Sequence, residues 1–68
     1  MNKLFDDDRN YQPDDPEVIE VMGDKDKQAQ KRHHRTSPSY YRLGRKIIYR
    51  GIDLNAWAEI QRIETFSA

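Results

Sequence analysis

The sequence predicts one small α+β domain: two short helices, a two-stranded β-hairpin and a closing helix. Three observations carry that prediction. A proline-led apolar segment, Pro16 and Glu17 followed by Val18, Ile19, Val21 and Met22, stops at Gly23. Two aromatic and β-branched runs, "YYRL" and "KIIY", flank the dipeptide Gly44–Arg45. A last segment from residue 51 carries apolar residues at helical spacing and holds the only tryptophan, Trp57. With 68 residues and no cysteine, there is room for one modest core. A disulfide frame and a cysteine-based zinc site are both excluded.

Residues 1–13 show neither a helical nor a strand period, and the expectation is an extended acidic arm on which Leu4, Phe5 and Tyr11 can dock locally. The domain proper is then residues 14–64, with a tail at 65–68. Asp14 or Asp15 suits the cap of the first helix, Pro16 its first position, and Glu17 the positive end of its dipole. Val18, Ile19 and Met22 form its core face. At roughly two turns this helix depends on packing to persist. Asp24 caps a second helix, "KDKQAQKRHHR", that is polar nearly all round. Ala29 is its one inward anchor, so Lys27, Gln28, Gln30, Lys31, His34 and Arg35 point outward or sideways. Pro38 forces the residue before it out of helical geometry and ends the segment.

Gly44–Arg45 is a two-residue turn with glycine in the first central position, the usual hairpin connection. Alternation places Tyr41 and Leu43 with Ile47 and Tyr49, and leaves Arg42, Arg45, Lys46 and Arg50 at the tip or on the exposed side. The last helix runs from Gly51–Asp53 to about Glu64. Leu54 and Trp57 lie on its core stripe. A second stripe, Ile52, Ala56, Ile60 and Ile63, needs cover from the arm, the first helix or another protomer.

Total charge is zero, but it is segregated along the chain. Residues 1–24 sum to −6, residues 25–50 to +8 and residues 51–68 to −2. A clustered basic surface, rather than a high total, is the electrostatic footprint of nucleic-acid binding. Enzyme chemistry finds no support. His33 and His34 are adjacent, so on a helix they diverge by about 100° and do not face one metal as an i,i+4 pair does. Thr36, Ser37 and Ser39 have no activating base nearby, and no glycine-rich phosphate loop is present. The expectation is no cofactor and no metal. No apolar run reaches membrane-spanning length and the first ten residues lack a signal peptide's apolar stretch, so the chain is expected to be soluble and cytoplasmic.

The stretch "PSYYRLGRKIIYRGIDLNAW" resembles the excisionases of phages and mobile elements, small winged helix-turn-helix proteins related to MerR-type domains. The matching elements are Pro38, Tyr40, Arg42-Leu43-Gly44, Arg45-Lys46, Tyr49-Arg50 and Asp53-Leu54-x-Ala56-Trp57, in that order. "DPEVIEVMG" is similar to the family's first helix, and the likeness spans residues 14–62. The second helix departs from the pattern, with Ala29 alone as anchor and Arg32 where an aromatic often stands. The resemblance implies a recombination directionality factor: a protein that binds several sites beside an attachment sequence, bends double-stranded DNA, associates with copies of itself there, and assists an integrase in excision. It implies a second helix in the major groove, carrying Lys25, Lys27, Gln28, Gln30, Lys31, Arg32, His34 and Arg35. A wing of Arg42, Arg45, Lys46 and Arg50 then lies on the minor groove or backbone. Glutamine suits adenine, and lysine or arginine suits guanine and phosphate. A small transcriptional regulator on the same fold, and an adaptor that offers the basic face to an acidic protein, are the alternatives.

Overall fold

The structure, a computed structural model, describes residues 4–63. In chain order it comprises β1 (Asn10–Tyr11), α1 (Pro16–Met22), α2 (Lys25–His33), β2 (Tyr41–Leu43), β3 (Lys46–Arg50) and α3 (Gly51–Ile60). The α+β class and the order helix, helix, hairpin, helix are as expected, and the arrangement is compatible with a small winged-helix-like fold. The sheet has three antiparallel strands in the order β1-β3-β2. No helix among the described residues is long and apolar enough to cross a membrane.

The third strand comes from the arm. Asn10 pairs with Arg50 and Tyr11 with Tyr49, so the segment read as an appendage is built into the domain. Phe5 and Tyr11 are both buried and meet edge-on, with ring centroids 5.1 Å apart. The Tyr11 hydroxyl accepts from the Asp6 amide at 2.9 Å. From α3, Asn55 brackets the Phe5 backbone. Its Oδ1 accepts from the Phe5 amide at 3.0 Å, and its Nδ2 donates to the Phe5 carbonyl at 2.8 Å and to Asp7 Oδ1 at 2.7 Å. The Gly51 amide donates to the Arg9 carbonyl at 2.7 Å. Gly51 is glycine because a Cβ there would collide with the Asp6 carbonyl. Two buried aromatics in the first eleven residues explain the reach of the arm: a chain this small has too few apolar side chains elsewhere to close its core.

That core comprises Phe5, Tyr11, Val18, Met22, Ile47, Tyr49 and Leu54, with Trp57 packed against it. The Trp57 indole N–H donates to the Thr36 carbonyl at 2.7 Å and ties the α2–β2 connection to α3. Three expected core residues are not in it. Ile19 is 39% exposed because a two-turn helix touching one surface buries a single i,i+4 pair, here Val18 and Met22. Leu43 is 61% exposed. Ala29 is exposed, and Gln28, one position and about 100° away, takes the inward place and is completely buried.

The error at Leu43 is one of strand parity. Gly44 has φ 65° and Arg45 a negative φ, the signature of a two-residue turn that needs glycine first. Such a turn sets Leu43 opposite Lys46, Arg42 opposite Ile47 and Tyr41 opposite Ile48. Odd positions of β2 therefore share a face with even positions of β3, and Tyr41 and Leu43 lie away from Ile47 and Tyr49. Tyr40 is the residue that meets Tyr49, edge-on at 6.3 Å.

Local capping follows the sequence closely. Asp24 Oδ1 accepts from the Lys27 amide at 2.9 Å, whereas Asp15 turns back and accepts from the Gln12 amide at 2.8 Å. α2 ends in a Schellman-type closure. The Thr36 amide donates to the Lys31 carbonyl and the Arg35 amide to the Arg32 carbonyl, with Arg35 in the left-handed region at φ 59°. α3 ends at Ile60 instead of extending to about Glu64, and the Gln61 amide closes onto Trp57 and Ala58 carbonyls. Glu64 and the expected tail at 65–68 lie outside the described residues. The second stripe stays uncovered, with Ile52, Ile60 and Ile63 at 52%, 79% and 85% exposure.

Candidate nucleic-acid interface

The basic residues expected to face a partner come from two elements, α2 and the hairpin, and the fold brings parts of both together. Lys27 and Gln30 are exposed on α2 and Lys31 is half-buried, while His34 and Arg35 are exposed just past its end, because the helix stops at His33 instead of running to Arg35. Arg42, Arg45 and Lys46 are exposed on the hairpin. Lys25 and Arg32 of α2 line a groove of about 260 Å³ with Arg45, Lys46 and Ile47 of the hairpin and Asp14 of the loop before α1. Among the described residues, ion pairs join Arg9 to Glu17, Arg50 to Asp53 and Arg62 to Glu59. Lys25, Lys27, Lys31, Arg32, Arg35, Arg42, Arg45 and Lys46 make none. Their charge is left to solvent or to a partner.

Three of the expected contact residues are placed differently. Gln28, read as outward and base-reading, is a core residue. Its Nε2 donates to the Pro13 and Gly23 carbonyls, each at 2.8 Å, and its Oε1 accepts from the Tyr49 hydroxyl at 3.4 Å. It serves as the polar key between the α1 loop, the α1–α2 turn and β3, which is why a helix with almost no apolar side chains still docks. A buried amide is tolerated only with partners for both its ends, and no buried side-chain nitrogen or oxygen among the described residues lacks one.

Arg32 is half-buried and anchored. Its Nη1 donates to the Tyr49 hydroxyl at 2.6 Å, and its guanidinium carbon lies 5.7 Å from the Tyr40 ring centroid. Burial raises the Tyr49 hydroxyl above its ordinary pKa of 10.0, and the Arg32 charge and hydrogen bond offset part of that rise. Where an aromatic was expected, an arginine thus packs by its stem and stacks on the ring the wing supplies.

Arg50 is turned toward α3. Its Nε and Nη2 reach the two oxygens of Asp53 at 2.9 and 3.3 Å, and its guanidinium carbon is 5.6 Å from the Tyr41 centroid. The carboxylate holds the guanidinium above its ordinary pKa. Arg50 acts at the β3–α3 junction, and Arg42, Arg45 and Lys46 carry the free charge of the wing. His33 and His34 meet edge-on at 5.3 Å, and no cluster of three or more metal-ligating side chains exists among the described residues.

Asn55 was not singled out by the sequence, and Asp14 only as a possible helix cap. The role of Asn55 had no local signal, since it clamps a segment some 50 positions away. Asp14 stood at a helix cap, and only the fold shows it beside the hairpin tip. Comparisons with protein-family models, curated proteins and solved structures give no match for this chain.

Proposed function

We propose that this domain binds duplex DNA through α2 and the hairpin, and that it serves as an excisionase-type directionality factor for an integrase. The observation that carries the DNA reading is the meeting of unpaired cations from α2 (Lys25, Arg32) and from the wing tip (Arg45, Lys46) along one groove. Lys27 and Gln30 on α2, His34 just past its end and Arg42 on the hairpin are also exposed, while Lys31 and Arg35 line a second groove with Trp57, Ile60 and Gln61. Cations gathered from two elements into one groove suit a polyanion better than isolated surface lysines do. The recombination role rests on the resemblance of residues 14–62 to excisionases.

The test is a gel shift with duplex from an attachment region against random duplex at several salt concentrations. Engagement of about five phosphates gives a log K against log salt slope of roughly −4 to −5. A ladder of specific complexes, and stimulation of integrase excision on the same DNA, is the expected result. Equal and weak binding to both duplexes sinks the site-specific reading. Specific binding without stimulation sinks the recombination role.

A further inference from the structure

We propose that the groove between α2 and the wing tip is a single phosphate seat, taken in the complex by one backbone phosphodiester of the DNA. This rests on the DNA-binding reading and adds to it a specific division of labour. Lys25 and Arg32 come from α2, and Arg45 and Lys46 from the turn and start of β3, yet all four line the same groove of about 260 Å³. That space holds one tetrahedral oxyanion with its hydration, and is far too narrow for a duplex. The four cations have no ion-pair partner among the described residues.

One feature makes this a seat and not a chance meeting of surface charges. Arg32 is pre-set: its Nη1 is held by the Tyr49 hydroxyl at 2.6 Å, and that hydroxyl belongs to a completely buried side chain. One face of its fork is therefore fixed before any ligand arrives, which lowers the ordering cost of binding. Asp14 is the lone carboxylate on the lining and opposes an anion there. It moderates the free groove, and a phosphate entering must tolerate it. Because Lys25 and Arg32 belong to α2 while Arg45 and Lys46 belong to the hairpin, one seated phosphate fixes helix and wing relative to the same point on the DNA backbone. The remaining exposed side chains of α2 are then held in one register on the bases.

The full-length chain is tested in two arms. In the first, backbone amides of the free protein are followed by NMR during titration with inorganic phosphate at low ionic strength. Shifts centred on Lys25, Arg32, Arg45 to Ile47 and Asp14, lost in Lys25→Gln/Arg45→Gln, are expected. Both substituted residues are exposed and form no hydrogen bond of their side chains, and unchanged circular dichroism checks that the variant folds. No shifts, or shifts spread equally over Lys27, Lys31 and Arg42, overturn the seat and leave the DNA reading untouched. In the second arm, a bound duplex is scanned with neutral methylphosphonate replacing one phosphate at a time. One position is expected where neutralisation weakens wild type by about tenfold and does nothing more to Lys25→Gln/Arg45→Gln. Asp14→Asn is expected to tighten duplex binding several-fold more than the equal charge change Asp8→Asn. Additive losses at every phosphate, or equal gains from the two aspartate variants, overturn the seat. Phosphate seated in the groove with no duplex binding at any salt sinks the DNA reading and keeps the seat.

Discussion

Gln28→Met separates a core role from a base-reading role. Methionine matches the length of glutamine and keeps the packing volume, so the perturbation is confined to the amide. Two 2.8 Å hydrogen bonds to the Pro13 and Gly23 carbonyls disappear, and the Tyr49 hydroxyl loses an acceptor at 3.4 Å. A hydrogen bond contributes about 1 kcal/mol net, but a buried acceptor left alone costs about 1–3 kcal/mol. The variant should therefore lose about 2–4 kcal/mol. A domain of this size has about 3–10 kcal/mol in all, at about 0.05–0.15 kcal/mol per residue, so the loss is a large share. At about 4–8 °C per kcal/mol for small domains, the midpoint of thermal unfolding followed by circular dichroism should fall by roughly 8–32 °C. DNA binding measured well below that melting point should keep its sequence preference. A melting point within about 2 °C of wild type, together with weakened discrimination between duplexes, would refute the buried placement and restore Gln28 to the DNA face.

Three further outcomes are expected. Asn55→Ala removes the bracket on Phe5, so stability should drop by about 1–3 kcal/mol, and hydrogen exchange at the Phe5 and Asp6 amides should accelerate before that at the β2–β3 hairpin; uniform exchange would mean that the arm is held by other contacts. Arg35→Gly relieves a left-handed residue and should raise stability by up to about 1 kcal/mol, while lowering the salt slope of DNA binding by about one unit if Arg35 touches phosphate; a lower melting point would refute the relief. The Tyr49 hydroxyl has a folded pKa above its unfolded value of about 10. Its contribution is complete below pH 10 and is lost as pH rises through the folded pKa, because the unfolded chain releases that proton more readily. Stability should accordingly fall in the alkaline range, and less steeply in Tyr49→Phe than in wild type; equal slopes would show that Tyr49 is not the group responsible.

The element order was legible because each local signal was strong and agreed with its neighbours: Pro16 at a helix start, Asp24 at a cap, Gly44 at a turn, Leu54 and Trp57 on one stripe. What failed needed one more physical step or information from afar. The faces of the hairpin were decidable from the turn length alone, since a two-residue loop pairs odd with even positions, and alternation without that parity put Tyr41 and Leu43 on the wrong side. The face of α2 was misjudged by choosing the least polar residue as anchor. The selection is really for a side chain that satisfies the carbonyls around it, and a glutamine does so where an alanine does not. The arm had no period to reveal it, because a two-residue strand has none, and its clamp, Asn55, lies far along the chain. In the site, the cations were all visible in the sequence, but Arg50 looked like its neighbours until Asp53 was seen to hold it.

Zero net charge is compatible with a cationic face because many of the acids are employed locally, while the bases of α2 and of the hairpin tip form no ion pair. Asp6 accepts from the Asp8 amide, Asp7 from Asn55, Asp15 from the Gln12 amide and Asp24 from the Lys27 amide. Glu17 pairs with Arg9, and Asp53 with Arg50. Each of these carboxylates is tied to the backbone, to the Asn55 side-chain amide or to a base outside the groove. The sheet order adds distance. β1, which follows the Asp6–Asp8 run, and β2 lie on opposite sides of β3, two strand spacings or about 9.5 Å apart. β1 meets Tyr49 and Arg50 at the end of β3 away from the turn, and Gly51 holds the Arg9 carbonyl, so the Asp6–Asp8 run leads away from the wing tip, whereas Asp14 lines the groove itself. Charge segregation in the chain thus becomes charge segregation in space because the arm is paired as a strand at the end of β3 away from the turn. An arm left loose would bring the same acids within reach of the basic groove and compete with any polyanion for it.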